Sequence, residues 1–218
     1  MGGEYLFISS TRIGKKSLNT STQTLPEGYT QSGEVNLKKD KRLTILLNLA
    51  ALVVTVLGFC LLSIFGTALR TGTTNVSGSI SAGPIMILIG LVISIFLIHE
   101  LIHGFFFWLF SRSRPVFALR PLYAYAGAPE WYFPKRQYAI ITLGPLVVIG
   151  ALGLLLMLLV PVSWLLITAF LVALNTGGAL GDLFVFIRLL KCSQTSFAND
   201  TGDVVTFFER PESRGLAD

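Results

Sequence analysis

The fold is decided by one apolar stretch, residues 84–110, with the sequence PIMILIGLVISIFLIHELIHGFFFWLF. A helix that crosses about 30 Å of hydrocarbon needs about 20 apolar residues, and this stretch is long enough. It contains one carboxylate and two histidines, grouped as His99-Glu100-Leu101-Ile102-His103. Ionisable side chains are expensive inside a transmembrane helix, so the group predicts a functional site within a membrane span.

The other long runs of the chain are also nearly free of charge. The 218 residues are 52% hydrophobic and 13% charged, and this charged fraction is about half that of an ordinary soluble domain. Arg42 and Arg70 bracket 27 uncharged residues, and Arg136 and Arg188 bracket 51 residues whose only formal charge is Asp182. We therefore predict an all-α membrane protein with four transmembrane helices, at about 43–69, 84–110, 138–160 and 163–188.

The basic residues predict the orientation of these spans. Of the 17 lysines and arginines, only Arg70 falls on the side opposite to all the others. By the positive-inside rule, both termini should be cytoplasmic in a multipass plasma-membrane protein. The net charge of +5 thus reflects topology: the expected partner is the lipid bilayer, and nucleic acid is not expected.

The same runs divide the chain into three parts. Residues 1–42 should be a flexible cytoplasmic N-terminal tail, 43–190 a transmembrane domain, and 191–218 a cytoplasmic C-terminal tail. An aromatic and basic loop, 111–137, should join helices two and three on the cytoplasmic side. Its aromatic residues between Tyr123 and Phe133 should anchor at the headgroup level. Alternatively, part of 115–134 folds back beside the site and offers a backbone edge to an extended substrate.

The motif H-E-x-x-H is typical of zinc peptidases. Residues i and i+4 share one face of a helix, so His99 and His103 could bind one Zn²⁺ ion. Glu100 is rotated by about 100° from His99 and should reach a catalytic water rather than the metal. The simpler alternative is a pair of buried histidines that are satisfied by hydrogen bonds, with Glu100 as one partner.

A zinc site that keeps one position open needs a third protein ligand. No other histidine is present, and Asp182 is the only other acid in a predicted span. Asn175, Gly178 and Asp182 share one helical stripe, whose small residues allow another helix to approach closely. Asp182 is therefore the predicted third ligand, with Glu130 as a weaker alternative. An ordinary packing face, with Asp182 as a helix cap or as the partner of Arg188, remains open.

Five motifs carry a resemblance to a known family: HELIHG at 99–104, AYAGAP at 124–129, WYFPKRQ at 131–137, NTGGALGD at 175–182 and DTGD at 200–203. Over about 93–205, the chain resembles bacterial multipass membrane proteins classed as "putative zincin peptidases", distant relatives of the site-2 proteases. The resemblance implies that Asp182 is the third ligand and that Asn175 hydrogen-bonds the substrate carbonyl. The site-2 Asn-x-x-Pro and Asp-Gly patterns are absent, since Gly178 replaces the proline and Leu183 follows Asp182.

The sequence as a whole predicts an intramembrane zinc metalloprotease with its site in the cytoplasmic half of the membrane. His99, His103 and Asp182 would hold Zn²⁺, while Glu100 and Asn175 would act in catalysis. The substrate would be a membrane protein or a membrane-bound peptide. Two other classes fit the same residues: a metal-ion transporter or sensor, and a metal-stabilised membrane scaffold without chemistry.

Overall fold

The computed structural model describes residues 19–76, 82–120 and 123–211. Within these ranges the chain forms helices and strands. The helices are α1 (Lys41–Thr71), α2 (Ala82–Ser111), α3 (Lys135–Leu159), α4 (Val162–Gly178) and α5 (Leu180–Leu190). The strands are β1 (Thr30–Asn36), β2 (Val116–Arg120), β3 (Tyr123–Gly127), β4 (Tyr132–Pro134), β5 (Phe197–Asp200) and β6 (Val204–Glu209).

Among the described residues, α1, α2 and α3 are each long and apolar enough to cross a membrane. α4 and α5 pass the same test only as a pair, and they are bent by 42° where they meet. The predicted span at 163–188 is therefore a broken helix rather than a straight one. The break follows Gly177 and Gly178, and glycine lowers helix stability by about 1 kcal/mol relative to alanine.

The helices carry their apolar side chains on the outside. Leucines of α1 such as Leu46 and Leu61 are exposed by 66% and 69%. The buried positions of α1 are small or hydroxyl-bearing: Thr44, Thr55, Ser63, Gly66 and Thr67. This inverted pattern is typical of helices in a bilayer, where lipid covers the leucines and small residues let helices pack closely.

The helices pack in the order α1, α4, α3 and α2, so α4 and α3 separate α1 from much of α2. Close approach depends on glycine at two of these contacts. A Cβ atom on Gly177 would clash with the Thr55 side chain and the Ala51 carbonyl of α1. A Cβ atom on Gly144 of α3 would clash with the Phe106 ring of α2. α3 itself continues through Pro145 without interruption.

The strands correct the prediction of an all-α protein. β1, β6, β5 and β4 form an antiparallel sheet in that order, and β2 and β3 form a separate hairpin. β1 thus comes from the segment that was predicted to be a flexible tail, and its residue Val35 pairs with Val205 of β6. β2, β3 and β4 come from the predicted loop at 111–137, and β5 and β6 come from the predicted C-terminal tail.

A continuous core joins the four-stranded sheet to the ends of α2, α3 and α5. Phe107 of α2, Phe133 of β4 and Tyr138 of α3 are nearly inaccessible to solvent, and they belong to one cluster with Leu189 and Phe207. The buried ammonium group of Lys135 donates to the carbonyl oxygens of Leu190 (3.1 Å) and Cys192 and caps the end of α5. The sheet therefore fixes the ends of the helices that carry the site.

The contact between α1 and α4 predicts a specific sensitivity to side-chain size. Gly177→Ala should lower the free energy of unfolding by about 1–3 kcal/mol, because the added methyl group has no space against α1. The measurement is the thermal midpoint of the protein in detergent micelles. Gly150→Ala is the control, because a Cβ atom on Gly150 meets nothing within 4 Å. Equal midpoints for the two variants would contradict this packing.

Candidate metal centre

His99 and His103 lie one turn apart on α2 and face the interior of the helix assembly. Each residue is 7% exposed, and their ring centroids are 5.0 Å apart. The i, i+4 spacing of the motif places both imidazoles on one face, as the sequence predicts. Both Nε2 atoms point toward α5.

Asp182 in the first turn of α5 meets both imidazoles. Its Oδ2 atom lies 3.1 Å from Nε2 of His99, and its Oδ1 atom lies 3.3 Å from Nε2 of His103. One potential ligand atom from each of the three residues lies within 4.8 Å of the others. The bend between α4 and α5 turns the carboxylate toward α2, so Asp182 joins two histidines that precede it by 79 and 83 positions in the chain.

The opposite ring nitrogens are held by acceptors. His103 donates its Nδ1–H to the backbone carbonyl of Ile141 in α3, at 2.9 Å. His99 donates its Nδ1–H to Oδ1 of Asn175 in α4, at 3.0 Å. These carbonyl oxygens only accept, so each Nδ1 atom carries a proton, and the Nε2 atoms, which face the Asp182 carboxylate, are the ones that a metal ion would take. Such second partners fix ring orientation at metal sites and raise the basicity of the ligand.

The donor set fits a divalent transition metal. Two neutral imidazole nitrogens and one carboxylate are ligands that zinc accepts, and three protein ligands leave a position open. Two buried atoms beside the cluster, Oε2 of Glu100 and Nδ2 of Asn175, have no hydrogen-bond partner among the described residues. The cluster could therefore hold a metal ion and keeps two polar groups available next to it.

Glu100 lies between the cluster and the hairpin. Glu100 and Ala126 of β3 line the same cavity. The glutamate is not one of the three potential ligands, in agreement with its rotation from His99 around the helix. Its second oxygen is the unpartnered Oε2 atom, which makes Glu100 suitable for proton transfer.

Two cavities meet at His99 and Glu100. The first, of about 160 Å³, lies between α1 and α2, and Gly177 and Gly178 of α4 are among its lining residues. The second, of about 140 Å³, contains His103, Asp182 and Ala126. Tyr123 and Ala124 of β3 line both, and so does Leu37, which follows β1.

The hairpin leaves one edge of β3 without a partner strand among the described residues, because β3 pairs only with β2. Residues at alternate positions direct their backbone groups to the same edge. Ala124 and Ala126 therefore share one edge of β3, and both residues line cavities at the site. The fold-back alternative for 115–134 thus describes β3, which runs beside the cluster.

The other sequence candidates lie elsewhere. Glu130 is exposed on the turn between β3 and β4 and is not part of the cluster. Arg188 does not pair with Asp182, whose carboxylate contacts the imidazoles.

Sequence reasoning missed a pair of buried residues at the base of the second cavity. Tyr138 donates its hydroxyl to Oδ2 of Asp200 at 2.6 Å, and the Gly202 N–H donates to Oδ1 at 2.7 Å. Desolvation nevertheless dominates and raises the pKa of the Asp200 carboxyl to about 6. The D-T-G-D motif that contains Asp200 is visible in the sequence, but the sequence does not indicate that this motif lies against Tyr138 of α3 in the fold.

Removal of the Asp182 carboxylate should weaken metal binding. Loss of a second-sphere partner typically costs 10–100-fold in metal affinity, so Asp182→Ala should lower zinc affinity by at least about 100-fold. The measurement is zinc content and competitive zinc titration of the purified protein. Glu130→Ala is the matched control and should bind zinc like the wild type; the opposite ranking would assign the ligand role to Glu130.

The buried Asp200 predicts a pH-dependent stability difference. The pKa of this carboxyl is raised on folding, so the native state binds the proton more tightly and loses stability as the pH rises from about 4 to 6. Relative to the wild type, Asp200→Asn should gain about 2 kcal/mol in free energy of unfolding between pH 4.5 and 7. Thermal midpoints of both proteins at the two pH values test this; a constant difference would contradict it.

Comparison with known proteins gives one match. Residues 92–197 match the model of a family described as "Putative zincin peptidase". The matched range contains His99, Glu100, His103, Asn175 and Asp182. No curated protein and no solved structure matches the chain. Over the matched range, the chain is thus similar to a family of zincin peptidases, and it combines this similarity with apolar helices and a cluster that could hold a metal.

Proposed function

We propose that the protein is an intramembrane zinc metalloprotease that cleaves peptide bonds in or near membrane segments. The observation that carries the proposal is the meeting of two oriented imidazoles, one carboxylate and the adjacent Glu100 at the junction of apolar helices. The similarity of residues 92–197 to zincin peptidases supports the same chemistry.

The zinc ligands would be Nε2 of His99, Nε2 of His103 and the Asp182 carboxylate. Zinc bound there supplies a Lewis acid that polarises the scissile carbonyl and makes water more acidic. The hydrogen bonds to Ile141 and Asn175 hold both rings in the tautomer that presents Nε2.

Glu100 transfers the proton in the proposed reaction. Its carboxylate accepts a proton from the water that attacks the peptide carbonyl. The same group returns the proton to the amide nitrogen as the C–N bond breaks, so that one water molecule is added in total. The burial of its Oε2 atom without a partner supports this role.

Asn175 serves the proposed reaction in two ways. Its Oδ1 atom accepts from His99, and its Nδ2 atom is buried without a partner near the first cavity. The amide is therefore available to donate to the substrate carbonyl and to help align it. This assignment retains the role that the resemblance to site-2 proteases implies.

The substrate would bind in an extended conformation against β3. At Ala124 and Ala126, one edge of β3 has no partner strand within the described part of the chain and offers backbone groups that an added strand can use. The first cavity, between α1 and α2, offers a path from the lipid to this edge, with Gly177 and Gly178 along it. A membrane segment would unwind there before cleavage. The positive-inside distribution supports a position of this path in the cytoplasmic half of the plasma membrane.

Glu100→Gln should separate binding from catalysis. The variant should retain zinc, because Glu100 is not a ligand, and lose hydrolysis by about 10²–10⁴-fold, because the proton acceptor is removed. The assay is cleavage of fluorescein-labelled casein in detergent micelles, together with zinc content. Glu130→Gln is the control, since Glu130 is an exposed glutamate outside the cluster, and it should cleave like the wild type.

The Glu100→Gln assay, together with the folding of His99→Ala and zinc flux into vesicles, distinguishes the protease from a scaffold and from a transporter. Full activity in Glu100→Gln would refute the mechanism. A scaffold predicts that Glu100→Gln behaves like the wild type while His99→Ala unfolds the protein. A transporter predicts zinc flux into vesicles that contain the wild-type protein, without cleavage.

A further inference from the structure

The turn between β5 and β6, Asp200–Asp203, borders the site but has no role in the proposed reaction. Asp200 and Gly202 line the second cavity. The family match ends at residue 197, so the turn lies outside it. Its two carboxylates accept hydrogen bonds from tyrosines of two different elements, α3 and β3.

One side of the turn is fastened to α3. The buried Tyr138 hydroxyl donates to Oδ2 of Asp200 at 2.6 Å, and the backbone carbonyl of Asp200 accepts the Ala128 N–H at 2.8 Å. α3 also supplies the Ile141 carbonyl that holds His103. The turn is therefore anchored to the helix that orients a proposed zinc ligand.

The other side of the turn covers one face of β3. The Tyr123 hydroxyl donates to Oδ1 of Asp203 at 2.8 Å. Gly202 has φ +85°, and a Cβ atom there would clash with the Tyr125 ring. A Cβ atom on Gly127 would lie 2.8 Å from the Gly202 nitrogen. Residues 123, 125 and 127 share one face because side chains alternate along a strand, so the turn contacts the whole length of β3.

Asp203 holds a second wall of the site through its backbone. Its carbonyl accepts the N–H of Leu37 at 3.2 Å. Leu37 and Tyr123 each line both cavities. One residue therefore positions the side of the site formed by β3 and the side formed by the segment after β1.

We propose that the turn Asp200–Asp203 is a positioning element for substrate binding, in which Asp203 sets the place of the open edge of β3 and of Leu37 relative to the metal-binding helices. This inference rests on the proposed function, because it assigns β3 and Leu37 to the peptide-binding surface. The contacts of Asp203 that the described residues show are with Tyr123 and Leu37, neither of which is a proposed ligand or proton-transfer group. Asp203 therefore governs affinity for an extended peptide and leaves zinc binding unchanged.

The test compares two probes on the zinc-loaded full-length protein in detergent micelles. Fluorescein-labelled trileucine hydroxamate contacts the metal and offers a backbone to β3, whereas acetohydroxamate offers no peptide. Asp203→Asn keeps an acceptor oxygen but removes its charge, so it should weaken trileucine hydroxamate about 10-fold in fluorescence anisotropy, as expected when a charged hydrogen-bond acceptor becomes neutral. The affinity for acetohydroxamate, measured by competition, and the zinc content should stay within twofold of the wild type.

Tyr123→Phe removes this hydrogen bond altogether, from the β3 side. It should weaken trileucine hydroxamate at least as much as Asp203→Asn, and the double variant should show little further loss because the two residues act as one pair. Glu209→Gln is the matched control: this carboxylate of β6 accepts the Ser193 N–H at 2.5 Å, away from both cavities. It should bind both probes like the wild type. Hydrogen exchange over residues 123–127 should accelerate in Asp203→Asn and not in Glu209→Gln.

Two outcomes would overturn the proposal. One is unchanged trileucine hydroxamate affinity in Asp203→Asn; the other is an equal loss for both probes with release of zinc, which would indicate a general structural role. Failure of the proposed function gives a different result: the wild type would bind zinc and leave casein intact. The two-probe comparison does not depend on turnover, so it decides the role of the turn in that case too.

Discussion

The arrangement of this protein depends on the mutual satisfaction of ionisable groups at the junction of apolar helices. Two imidazoles and one carboxylate would each be costly to bury alone. Their contacts at 3.1 and 3.3 Å give each group a partner, and the outer nitrogens of both rings reach acceptors on α3 and α4. Each of the helices α2, α3, α4 and α5 therefore supplies its group to the cluster from one fixed position, and the packing contacts between the helices keep these positions.

Small residues and the sheet together maintain this geometry. Gly177 brings α4 against α1, and Gly144 brings α3 against α2, at contacts where a methyl group would not fit. At the ends of the helices, Lys135 caps α5 and the aromatic core around Phe133 joins the sheet to α2 and α3. The hairpin of β2 and β3 then places beside Glu100 an edge of β3 that has no partner strand among the described residues, and the turn after β5 contacts one face of β3.

Much of the cluster could be predicted from the sequence, because spacing along one helix is a local property. The i, i+4 histidines predict a shared face, and the rarity of acids in apolar runs points to Asp182. The sheet could not be predicted in this way. In β1 only Val35 is buried, so the strand has no alternation of buried and exposed residues that its sequence could reveal. β1 depends instead on pairing with β6, which lies about 170 residues later in the chain. The partners Ile141, Tyr138 and Asp203 were hidden for the same reason: a backbone carbonyl has no signature, and contacts across the fold depend on topology.

The break between α4 and α5 has a thermodynamic consequence. The two helices meet at Ala179. Gly177, which packs against α1, lies two residues before it, and Asp182, which faces the imidazoles, lies three residues after it. The 42° bend therefore lies between the glycine that packs against α1 and the carboxylate that faces the imidazoles. A lipid or helix that moved α1 against Gly177 and thereby changed this angle would change the affinity of the cluster for an ion. Because coupling between two sites is reciprocal, an ion on the cluster would then change how readily α1 moves aside.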